Sequence, residues 1–504
     1  MKIFPLEKLV IEIQQLKDVG EKIVHCHGVF DLLHIGHIRH FHQAKKNGDI
    51  LVVTITPDRF VDKGDHRPAF PENLRAEALA SLDIVDYVAI NNWPTAENTL
   101  RLLKPDIYAK GAEFKSDGSD YTSKIDGEKA VASEIGTQIV FTEDIVFSSS
   151  NLINRFLSSK PKEIQEYLHL LRERFTLDEI FAVLEKMSSL KVMVIGDTIL
   201  DDYHYCTAIG KSNKDPVLAL QFNSSELFAG GSLAFANNIA GLVDKVGLIA
   251  LIGEHDDYKD FIVNSLHPNV TPHLVVQPGA PTLIKRRFLD GYSFNKLYEV
   301  YIMDDAGLPN DLDRQLCEWV EKEIPGYNLV IAADFGHGAI SNSMIETLCK
   351  NAPYLAVNTQ ANAGNRGYHT ISRYPRADFV CLAEHEIRLE TRDLKTSLRP
   401  MIAKQAERLS CSTFIVTRGR SGSVQMDRGG NFYASPSLTM NVVDRVGGGD
   451  AFFSIAALAA FLETDEELIG FLGNIVGSLA VGVIGNKKPL DKMSIKKLIT
   501  SLLK

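Results

Sequence analysis

Two blocks of alternating strand-like and helix-like segments constrain the fold of this chain more than any other feature. In the first block, residues 22–156, the β-rich runs KIVHCH, ILVVTIT, DYVAI, DIYAK and TQIVFTE are separated by helical patterns. In the second block, residues 191–500, the same alternation runs from KVMVIGD to STFIVTRG. Alternation of this kind predicts parallel sheets with helices on both faces. The sequence therefore predicts an α/β fold, with a Rossmann-like N-terminal domain and a second α/β domain.

A polar, helix-favouring stretch separates the two blocks. The chain has 504 residues, and a single core rarely grows beyond about 250–300 residues. We therefore expect an N-terminal domain over residues 1–158, a helical linker over 159–190 and a C-terminal domain over 191–504. The blocks share no internal repeat, so a fusion is predicted and not a duplication.

Charge and cysteine content exclude several classes of function. The formal net charge is −10, which disfavours a nucleic-acid partner. The six cysteines include no Cys-x-x-Cys pair, which argues against a disulfide framework and a zinc site. The N-terminal segment lacks a signal-peptide pattern, and the most apolar stretch, residues 451–462, is too short to span a bilayer. We expect a cytoplasmic protein with no membrane partner.

The segment HGVFDLLHIGH, residues 27–37, combines a phosphate cradle with two histidines. His34 and His37 are three residues apart, which places both imidazoles on one face of the first turn of a helix. The free N–H groups of such a turn attract phosphate, and imidazole donors can stabilise charge that builds on an α-phosphorus. This pattern predicts nucleotidyl transfer with pyrophosphate release to an acceptor that is already a phosphate. The alternative is a pair of surface histidines that cap a helix.

The string GVFDLLHIGH resembles the cytidylyltransferase-like nucleotidyltransferase family. Lys63 and GDHRP, residues 64–68, resemble the mobile basic loop of that family. The resemblance implies that His34, His37 and Lys63 are catalytic. It also implies a set of nucleotide-binding residues: Gly28, Phe30, His34, Gly36, His37, Arg75, Lys110, Ser148, Ser149 and Ser150. Within the family, GDHRPAFPENLR, VDYVAI and LKPDIYAKGAEF look most like heptose 1-phosphate adenylyltransferases. ATP is therefore favoured over CTP, although a cytidylyltransferase for a polyol or sugar phosphate remains the alternative.

The segment DRVGGGDAFF, which begins at Asp444, predicts a second active site. Three glycines before Asp450 allow the backbone to approach an anion closely, and the helix that follows stabilises it. Asp450 is placed to accept a proton from a sugar hydroxyl, which benefits from a general base when it attacks a phosphate. The alternative is an ordinary glycine-rich turn with a helix-capping aspartate.

DRVGGGDAF, VIGDTILDDY and FAGGSLAFANNIAGL together resemble the ribokinase-like (PfkB) carbohydrate kinases, over residues 191–500. The resemblance implies sugar-binding residues Asp197, Asp201, Gly230, Gly231, Asn237 and Asn238. The basic residues Lys285 and Arg287 are predicted to contact a sugar phosphate, and a solvated basic strand is the alternative. The resemblance also implies contacts to ATP and an anion hole formed by Thr417, Gly419, Gly422, Gly447, Gly448, Gly449 and Asn474. The form GDTILDDYHY looks most like heptose 7-phosphate kinases.

Two departures from the kinase pattern affect the predicted chemistry. The family's Asn-x-x-Glu motif, which organises magnesium and phosphate, has Ala383 in place of the asparagine, so Glu386 alone is predicted as a magnesium contact. An Asp-Pro-Lys-like step of heptose kinases is replaced by Asn358-Thr359-Gln360. A C-terminal domain that only binds sugar or dimerises is therefore an alternative to an active kinase.

The combined pattern predicts a bifunctional enzyme of nucleotide-activated sugar synthesis. One site would phosphorylate O1 of a sugar phosphate such as heptose 7-phosphate, and the other would join AMP to a sugar 1-phosphate. ATP and Mg²⁺ are the expected cofactors, sugar phosphates and nucleoside triphosphates the small-molecule partners, and a homodimer the expected assembly. Bifunctional enzymes of heptose activation resemble both halves but carry the kinase first, whereas here the order is reversed.

Overall fold

The structure is a computed structural model that describes residues 2–61, 67–111, 124–142, 160–254, 258–304, 306–365, 367–439, 442–487 and 489–503. Its contacts divide the chain into two compact units. The first consists of Met1–Pro161 with Lys496–Lys504, and the second of Lys162–Ile495.

The first unit is built on a five-stranded parallel sheet. Its strands are β1 (Ile23–Gly28), β2 (Ile50–Ile55), β3 (Tyr87–Ile90), β4 (Ile107–Gly111) and β5 (Gln138–Thr142), and its helices are α1 (Leu6–Asp18), α2 (Ile35–Lys45), α3 (Glu72–Ala80), α4 (Glu97–Leu103) and α5 (Lys124–Glu134). The strand order is β3-β2-β1-β4-β5. The direction of winding reverses between β1 and β4, and ligands of open α/β sheets bind outside the carboxyl ends of the strands at such a point.

The sequence accounts for this arrangement through burial. The runs IVHCHG and ILVVTI are buried along most of their length, as expected for central strands of a parallel sheet that helices cover on both faces. β1 is the innermost strand and pairs in parallel with both β2 and β4. His27 and Gly28 therefore reach the carboxyl edge of the sheet at the point of reversal.

The second unit contains two sheets. A nine-stranded sheet has the order β10-β9-β6-β13-β14-β15-β16-β17-β18, and a four-stranded sheet has the order β12-β11-β7-β8. The strands are β6 (Lys191–Gly196), β7 (Thr198–Lys211), β8 (Leu218–Gly231), β9 (Lys245–Gly253), β10 (Val270–Gln277), β11 (Ile284–Asp290), β12 (Lys296–Ile302), β13 (Leu329–Asp334), β14 (Leu355–Thr359), β15 (Phe379–Ala383), β16 (Thr413–Thr417), β17 (Ser423–Met426) and β18 (Phe432–Ser435). The large sheet is parallel from β10 to β16 and antiparallel over its last two strands.

Eleven helices complete the described parts of the chain. They are α6 (Lys162–Arg174), α7 (Leu177–Met187), α8 (Ser232–Ala240), α9 (Lys259–Ser265), α10 (Asn310–Glu323), α11 (Asn342–Asn351), α12 (Glu384–Thr391), α13 (Leu398–Leu409), α14 (Gly448–Phe461), α15 (Glu466–Val481) and α16 (Lys492–Leu503). The predicted α/β class is confirmed in both parts of the chain.

The stretch predicted as a linker forms α6 and α7, and both helices belong to the second unit. Tyr167 of α6 donates its hydroxyl to Ser435 Oγ at 3.1 Å, and Arg174 at the end of α6 pairs with Asp465 and Glu467. α7 begins with a capping box in which Thr176 and Glu179 satisfy each other's backbone N–H groups. These contacts fix the two helices to the second unit.

The four-stranded sheet differs from the other two because its outer half is exposed. Residues 207–211 of β7 and 296–300 of β12 are all exposed, whereas the strands of the large sheet are mostly buried. The inner half of this sheet carries residues of the cleft described below. Among the helices described here, none combines the length and the apolar character needed to cross a membrane.

Candidate active sites

The first candidate site lies where β1 passes into α2. Phe30 takes a left-handed backbone conformation with φ 47°, and His34 caps α2 by accepting the Gly36 N–H at Nδ1, 3.1 Å away. Because Nδ1 is an acceptor, the proton of a neutral His34 ring must lie on Nε2. The cap therefore fixes His34 in the tautomer that offers a donor to a ligand.

Aromatic packing sets the orientation of both histidine rings. His34 and His37 stack with their ring centroids 3.9 Å apart, and Phe30 meets His37 edge-on at 5.2 Å. A Cβ on Gly28 would lie 3.0 Å from the Phe30 ring, so this position favours glycine. The structure brings together Gly28, Phe30, His34, Gly36 and His37, the five predicted residues of the motif.

A second pair of histidines lies on β1 itself. His25 Nε2 and His27 Nδ1 both contact Thr54 Oγ1 of β2, at 2.7 Å and 2.9 Å. Burial, together with the neighbouring His27, lowers the pKa of His25 to about 3. His25 is therefore a neutral part of the sheet, and the contact of His34 and His37 with a nucleotide stays a prediction.

Arg75 is fully buried, and its guanidinium is occupied by the protein's own oxygens. It donates to the carbonyls of Phe70, Val29 and Thr56 at 3.0, 2.5 and 2.9 Å and to Asp58 Oδ1 at 2.6 Å. Arg75, which was predicted to bind nucleotide, thus ties the loop between β1 and α2 to the segment after β2. Its contact with a nucleotide stays a prediction.

We expect Arg75→Ala to destabilise the first unit by about 3 kcal/mol, because it leaves three carbonyls and the partly exposed Asp58 carboxylate without their donor. The chain has two tryptophans, so Trp93 fluorescence in a Trp319→Phe background reports urea unfolding of this unit alone. Arg101→Ala is the matched control, since Arg101 is 44% exposed and its one ion pair among the described residues is with Glu134; it should cost less than about 1 kcal/mol. Equal losses of unfolding free energy in the two variants would contradict the role of Arg75 in holding these two segments together.

Other predicted residues of this site have defined places or lie outside the described residues. Lys110, at the end of β4, pairs with Glu128 Oε2 at 2.7 Å, and Tyr108 donates to the same oxygen at 3.0 Å. Lys63, Ser148, Ser149 and Ser150 lie outside the described residues. Their roles stay predictions.

Asp31 is a residue of the motif whose role the sequence did not reveal. Its carboxylate accepts hydrogen bonds from Arg67 Nη1 at 2.7 Å and from the backbone N–H groups of Ala69 and Phe70 at 2.6 Å and 3.1 Å. Asp31 therefore anchors the end of the predicted basic loop and the two residues after it to the loop between β1 and α2. Its position inside GVFDLLHIGH was the available signal.

The second candidate site is a cleft of about 510 Å³ in the second unit. Its lining combines residues of the four-stranded sheet, the carboxyl ends of the large sheet and the glycine turn before α14. The lining residues include Asp201, Gly231, Lys285, Arg287, Glu299, Tyr301, Phe335, Gln360, Ala383, Glu386, Thr417, Arg445, Gly447, Gly449 and Asp450.

Asp450 lies in the first turn of α14, which Gly447 precedes with φ 82°. A Cβ on Gly447 would approach Asn486 Oδ1 to 2.2 Å, so the turn requires glycine here. Gln360 Nε2 donates to Asp450 Oδ1 at 2.6 Å. Burial, with the nearby Asp201, raises the pKa of Asp450 to about 6 even though the Gln360 hydrogen bond lowers it. A carboxylate of this pKa is suited to general base catalysis near neutral pH.

Charged residues of the four-stranded sheet line the opposite wall of the cleft. Arg287 forms an ion pair with Asp201 and donates Nε to Glu299 Oε1 at 2.8 Å. Lys285 lies over the rings of Tyr301 and Phe335, at 5.0 Å and 6.0 Å from their centroids, and burial lowers its pKa. The structure thus brings the predicted residues Asp201, Lys285 and Arg287 together on one wall.

The two glycines at the end of β8, Gly230 and Gly231, lie too close to β7 and the residue before it to carry a side chain. A Cβ on Gly230 would lie 2.3 Å from Asp201 Oδ2. Gly231, with φ 56°, would bring a Cβ to 2.4 Å from the Asp197 carbonyl. Both predicted glycines are therefore required for the close approach of β8 to β7, and Gly231 also lines the cleft.

Four predicted sugar-binding residues are absent from the set that lines the cleft: Gly230, Asp197, Asn237 and Asn238. Asp197 accepts the backbone N–H groups of Phe335, His337 and Ala339 at 2.9–3.2 Å, and burial raises its pKa to about 6. Asn237 bonds the Ser265 carbonyl and the His267 N–H, and Asn238 is buried in α8. Asp197 acts on the cleft through the loop that carries Phe335.

On the nucleotide side, Thr417, Gly447 and Gly449 line the cleft, whereas Gly419, Gly422, Gly448 and Asn474 are absent from its lining. Asn474 donates to Ser423 Oγ at 3.2 Å and to the Gly470 carbonyl at 2.8 Å. A Cβ on Gly422 would lie 1.9 Å from the Ser435 carbonyl. Asn474 and Gly422 therefore hold α15 and the last strands in place beside the cleft.

Glu386, the predicted magnesium contact, caps α12. Its two carboxylate oxygens accept the N–H groups of Ala361 and Ala383 at 3.0 Å and 2.7 Å, and burial raises its pKa to about 7. No group of three or more His, Cys, Asp or Glu side chains suited to a metal occurs among the described residues. Carboxylate oxygen suits Mg²⁺, which binds through one or two carboxylates and substrate phosphates, so Glu386 fits as a single oxygen contact.

Three further polar residues of the cleft were not predicted from the sequence to bind a ligand. Gln360, Glu299 and Arg445 all line it. Gln360 belonged to a recognised departure from the kinase pattern, which was the available signal. Arg445 lies within DRVGGGDAFF, so its position in that motif was the available signal. Glu299 stands in no motif, so only the fold places it in the cleft.

Two family models match the chain. Residues 25–156 match the cytidylyltransferase-like family, and residues 189–493 match the pfkB family of carbohydrate kinases. The predicted order, with the nucleotidyltransferase-like domain first and the kinase-like domain second, is confirmed.

Curated relatives match over a shorter range. The chain is 39% identical over 155 residues to a protein of Campylobacter fetus named bifunctional protein HldE, which covers 30% of this chain and 31% of that protein. Proteins of the same name from Helicobacter pylori and Geobacter metallireducens are 46% and 35% identical over 115 and 164 residues, or 22% and 32% of this chain and 24% and 32% of the relative. The chain thus spans a third or less of the length of these relatives.

Solved structures resemble the kinase-like part. Phosphofructokinase-2 from Escherichia coli in complex with substrates and products superposes with a TM-score of 0.52 at 17% identity, covering 62% of this chain and 100% of that one. The same enzyme in complex with fructose-6-phosphate gives 0.51 at 17% identity, covering 63% and 100%. At this identity the likeness shows the fold.

Proposed function

The chain belongs to the pfkB family of carbohydrate kinases, and from this premise we propose that it is a bifunctional enzyme with a sugar kinase site and a nucleotidyltransferase site. The observation that carries the kinase assignment is Asp450, which Gln360 holds at the glycine turn and which lines the same cleft as Asp201, Lys285 and Arg287. The histidine pair at the head of α2 carries the transferase assignment.

The kinase step follows from the cleft. Asp450 accepts the proton of the acceptor hydroxyl while the oxygen of that hydroxyl bonds to the γ-phosphorus of ATP. The bond from the γ-phosphorus to the bridging oxygen breaks, and ADP leaves with that oxygen. The free N–H groups at the start of α14 stabilise the transferred charge. Mg²⁺ would reach the site with the nucleotide and neutralise phosphate charge, with Glu386 as its protein contact.

The transferase step needs no base. A sugar 1-phosphate oxygen, already ionised, attacks the α-phosphorus of a nucleoside triphosphate, and pyrophosphate leaves. His34, with its donor on Nε2, and His37 stabilise the charge on the pentacoordinate phosphorus. The proposed catalytic Lys63 and the proposed nucleotide contacts Lys110 and Ser148–Ser150 would complete this site.

We propose a heptose 7-phosphate as the kinase acceptor and ATP as the adenylyl donor. The relatives named bifunctional protein HldE support this for the transferase part, and Lys285 offers a cation for an anionic group of the acceptor. Incubation with ATP or CTP and a panel of sugar phosphates, followed by ³¹P NMR, tests it: a new anomeric phosphate from heptose 7-phosphate and an ADP-heptose from heptose 1-phosphate are expected. Product only with CTP, or only with another sugar, would replace the assignment.

We also propose a cytoplasmic homodimer. All six cysteines are free, which suits a reducing compartment. An aromatic row crosses the outer face of the four-stranded sheet: Phe222, His204, Phe288 and Tyr298, with successive centroids 5.3, 5.1 and 4.5 Å apart. Phe222 and Tyr298 are 57% and 47% exposed, and exposed apolar patches of this kind mark interfaces.

The dimer predicts a specific mass. Light scattering after size exclusion should give twice the chain mass of 55.8 kDa, and Phe222→Asp with Tyr298→Asp should give a monomer, because two buried charges would oppose association. Leu170→Asp, a change at a 57% exposed residue of α6, serves as the control. A wild-type monomer would remove the dimer proposal.

A further inference from the structure

Asp450 is hydrogen-bonded to Gln360, a residue that has no role in the phosphoryl transfer proposed above. Gln360 follows directly after β14 and donates Nε2 to Asp450 Oδ1 at 2.6 Å, across 90 residues of sequence. The other carboxylate oxygen, Oδ2, accepts no hydrogen bond from the residues that the structure describes. One oxygen of Asp450 is therefore held, and the residue itself lines the cleft.

The backbone of Gln360 is fixed on both sides. Its N–H donates to the Asp334 carbonyl at 2.9 Å, and its carbonyl accepts Nδ2 of Asn365 at 2.6 Å. The next residue, Ala361, donates its N–H to Glu386 Oε1 at 3.0 Å. The side chain of Gln360 thus starts from a backbone that cannot shift without breaking three hydrogen bonds.

The surroundings explain why a neutral donor suits this position. Burial and Asp201 raise the pKa of Asp450 to about 6, whereas Gln360 and Lys285 lower it; Glu386 and Cys381 interact with the same carboxylate. Arg287 and Arg445 line the same cleft. A neutral amide stabilises the carboxylate by hydrogen bonding without the larger depression that a cation would cause.

We propose that Gln360 is a positioning residue for phosphoryl transfer, whose amide holds Oδ1 of Asp450 so that Oδ2 accepts the proton of the acceptor hydroxyl. The inference rests on the proposed kinase function. It assigns a role to the residue that stands where the resemblance to heptose kinases expected an Asp-Pro-Lys-like step.

The test compares two substitutions with opposite expected effects. Gln360→Leu removes the donor at similar volume, so the acidic limb of the kcat profile should move up by about one pH unit and kcat at its plateau should fall about tenfold. Gln360→Lys places a cation beside Oδ1, so the limb should move down by about one pH unit. The KM for ATP should change less than twofold in both. Gln138→Leu and Gln138→Lys, at an exposed position of β5, are the matched controls and should leave the profile unchanged.

A second measurement does not depend on activity. Protonated carboxyl groups react with a water-soluble carbodiimide, and peptide mass spectrometry of Asp450 labelling against pH gives its titration directly. The midpoint should rise in Gln360→Leu and fall in Gln360→Lys. Wild-type midpoints in both variants would overturn the inference. Shifted midpoints in a protein that makes no ADP with any sugar would instead keep the Gln360–Asp450 coupling and reject the kinase function.

Discussion

Asp450→Asn should reduce the kcat of sugar phosphorylation by about a hundred- to ten-thousand-fold and leave nucleotidyl transfer unchanged. The amide keeps the shape of the side chain but cannot accept the hydroxyl proton, and positioned general bases contribute factors of this size. The substitution also replaces a partly buried carboxylate with a neutral group, so no loss of stability is expected to obscure the result. ADP release in a coupled assay, at saturating sugar phosphate, measures it.

Asp311→Asn is the matched control for this prediction. Asp311 is 80% exposed, and its one ion pair within the described part of the chain is with Arg314 in the same helix, so its removal should leave both activities within twofold. An Asp450→Asn enzyme with near wild-type kcat would contradict the role of Asp450 as base. A wild-type protein without phosphoryl transfer would favour a domain that only binds sugar or dimerises.

His37→Ala should reduce nucleotidyl transfer by about a hundred- to a thousand-fold, without effect on sugar phosphorylation. The imidazole lies 3.9 Å from His34, ring to ring, at the first turn of α2, and loss of one transition-state donor typically costs this much. Pyrophosphate release measures the effect. His34→Ala should give a similar loss of rate but also remove the helix cap, at a cost of about 1 kcal/mol.

Two further variants separate chemistry from folding in this site. His34→Asn retains a capping side chain, so it should restore stability but not rate. His169→Ala, at a histidine whose side chain is 67% exposed on α6, should change neither activity. Wild-type pyrophosphate release in both His34→Ala and His37→Ala would exclude the proposed mechanism.

Both folds and the centre of each site could be predicted because they depend on local patterns. Strands such as ILVVTI are mostly buried and mostly apolar, and glycine turns before a helix signal anion binding regardless of their surroundings. The four-stranded sheet could not be found in this way. Its strands are half exposed, so β12, with LYEV in its exposed part, shows neither a buried apolar run nor a regular alternation.

The roles of individual polar residues were less accessible. Arg75 and Asp197 were expected to contact ligands, yet both hydrogen-bond to the protein's own backbone near a site. Anchors and ligand contacts use the same residue types, because both must satisfy buried polar groups. The Gln360–Asp450 contact joins residues 90 positions apart, and only the fold, which brings the end of β14 to the first turn of α14, reveals it.

The most direct test of the central claim, two independent active sites in one chain, is a single assay on three proteins. Wild type, Asp450→Asn and His37→Ala are incubated with ATP, Mg²⁺, heptose 7-phosphate or heptose 1-phosphate, and ADP and pyrophosphate are read separately. We expect both products from wild type, pyrophosphate without ADP from Asp450→Asn, and ADP without pyrophosphate from His37→Ala. Loss of both products in either variant, or retention of both, would contradict two independent sites.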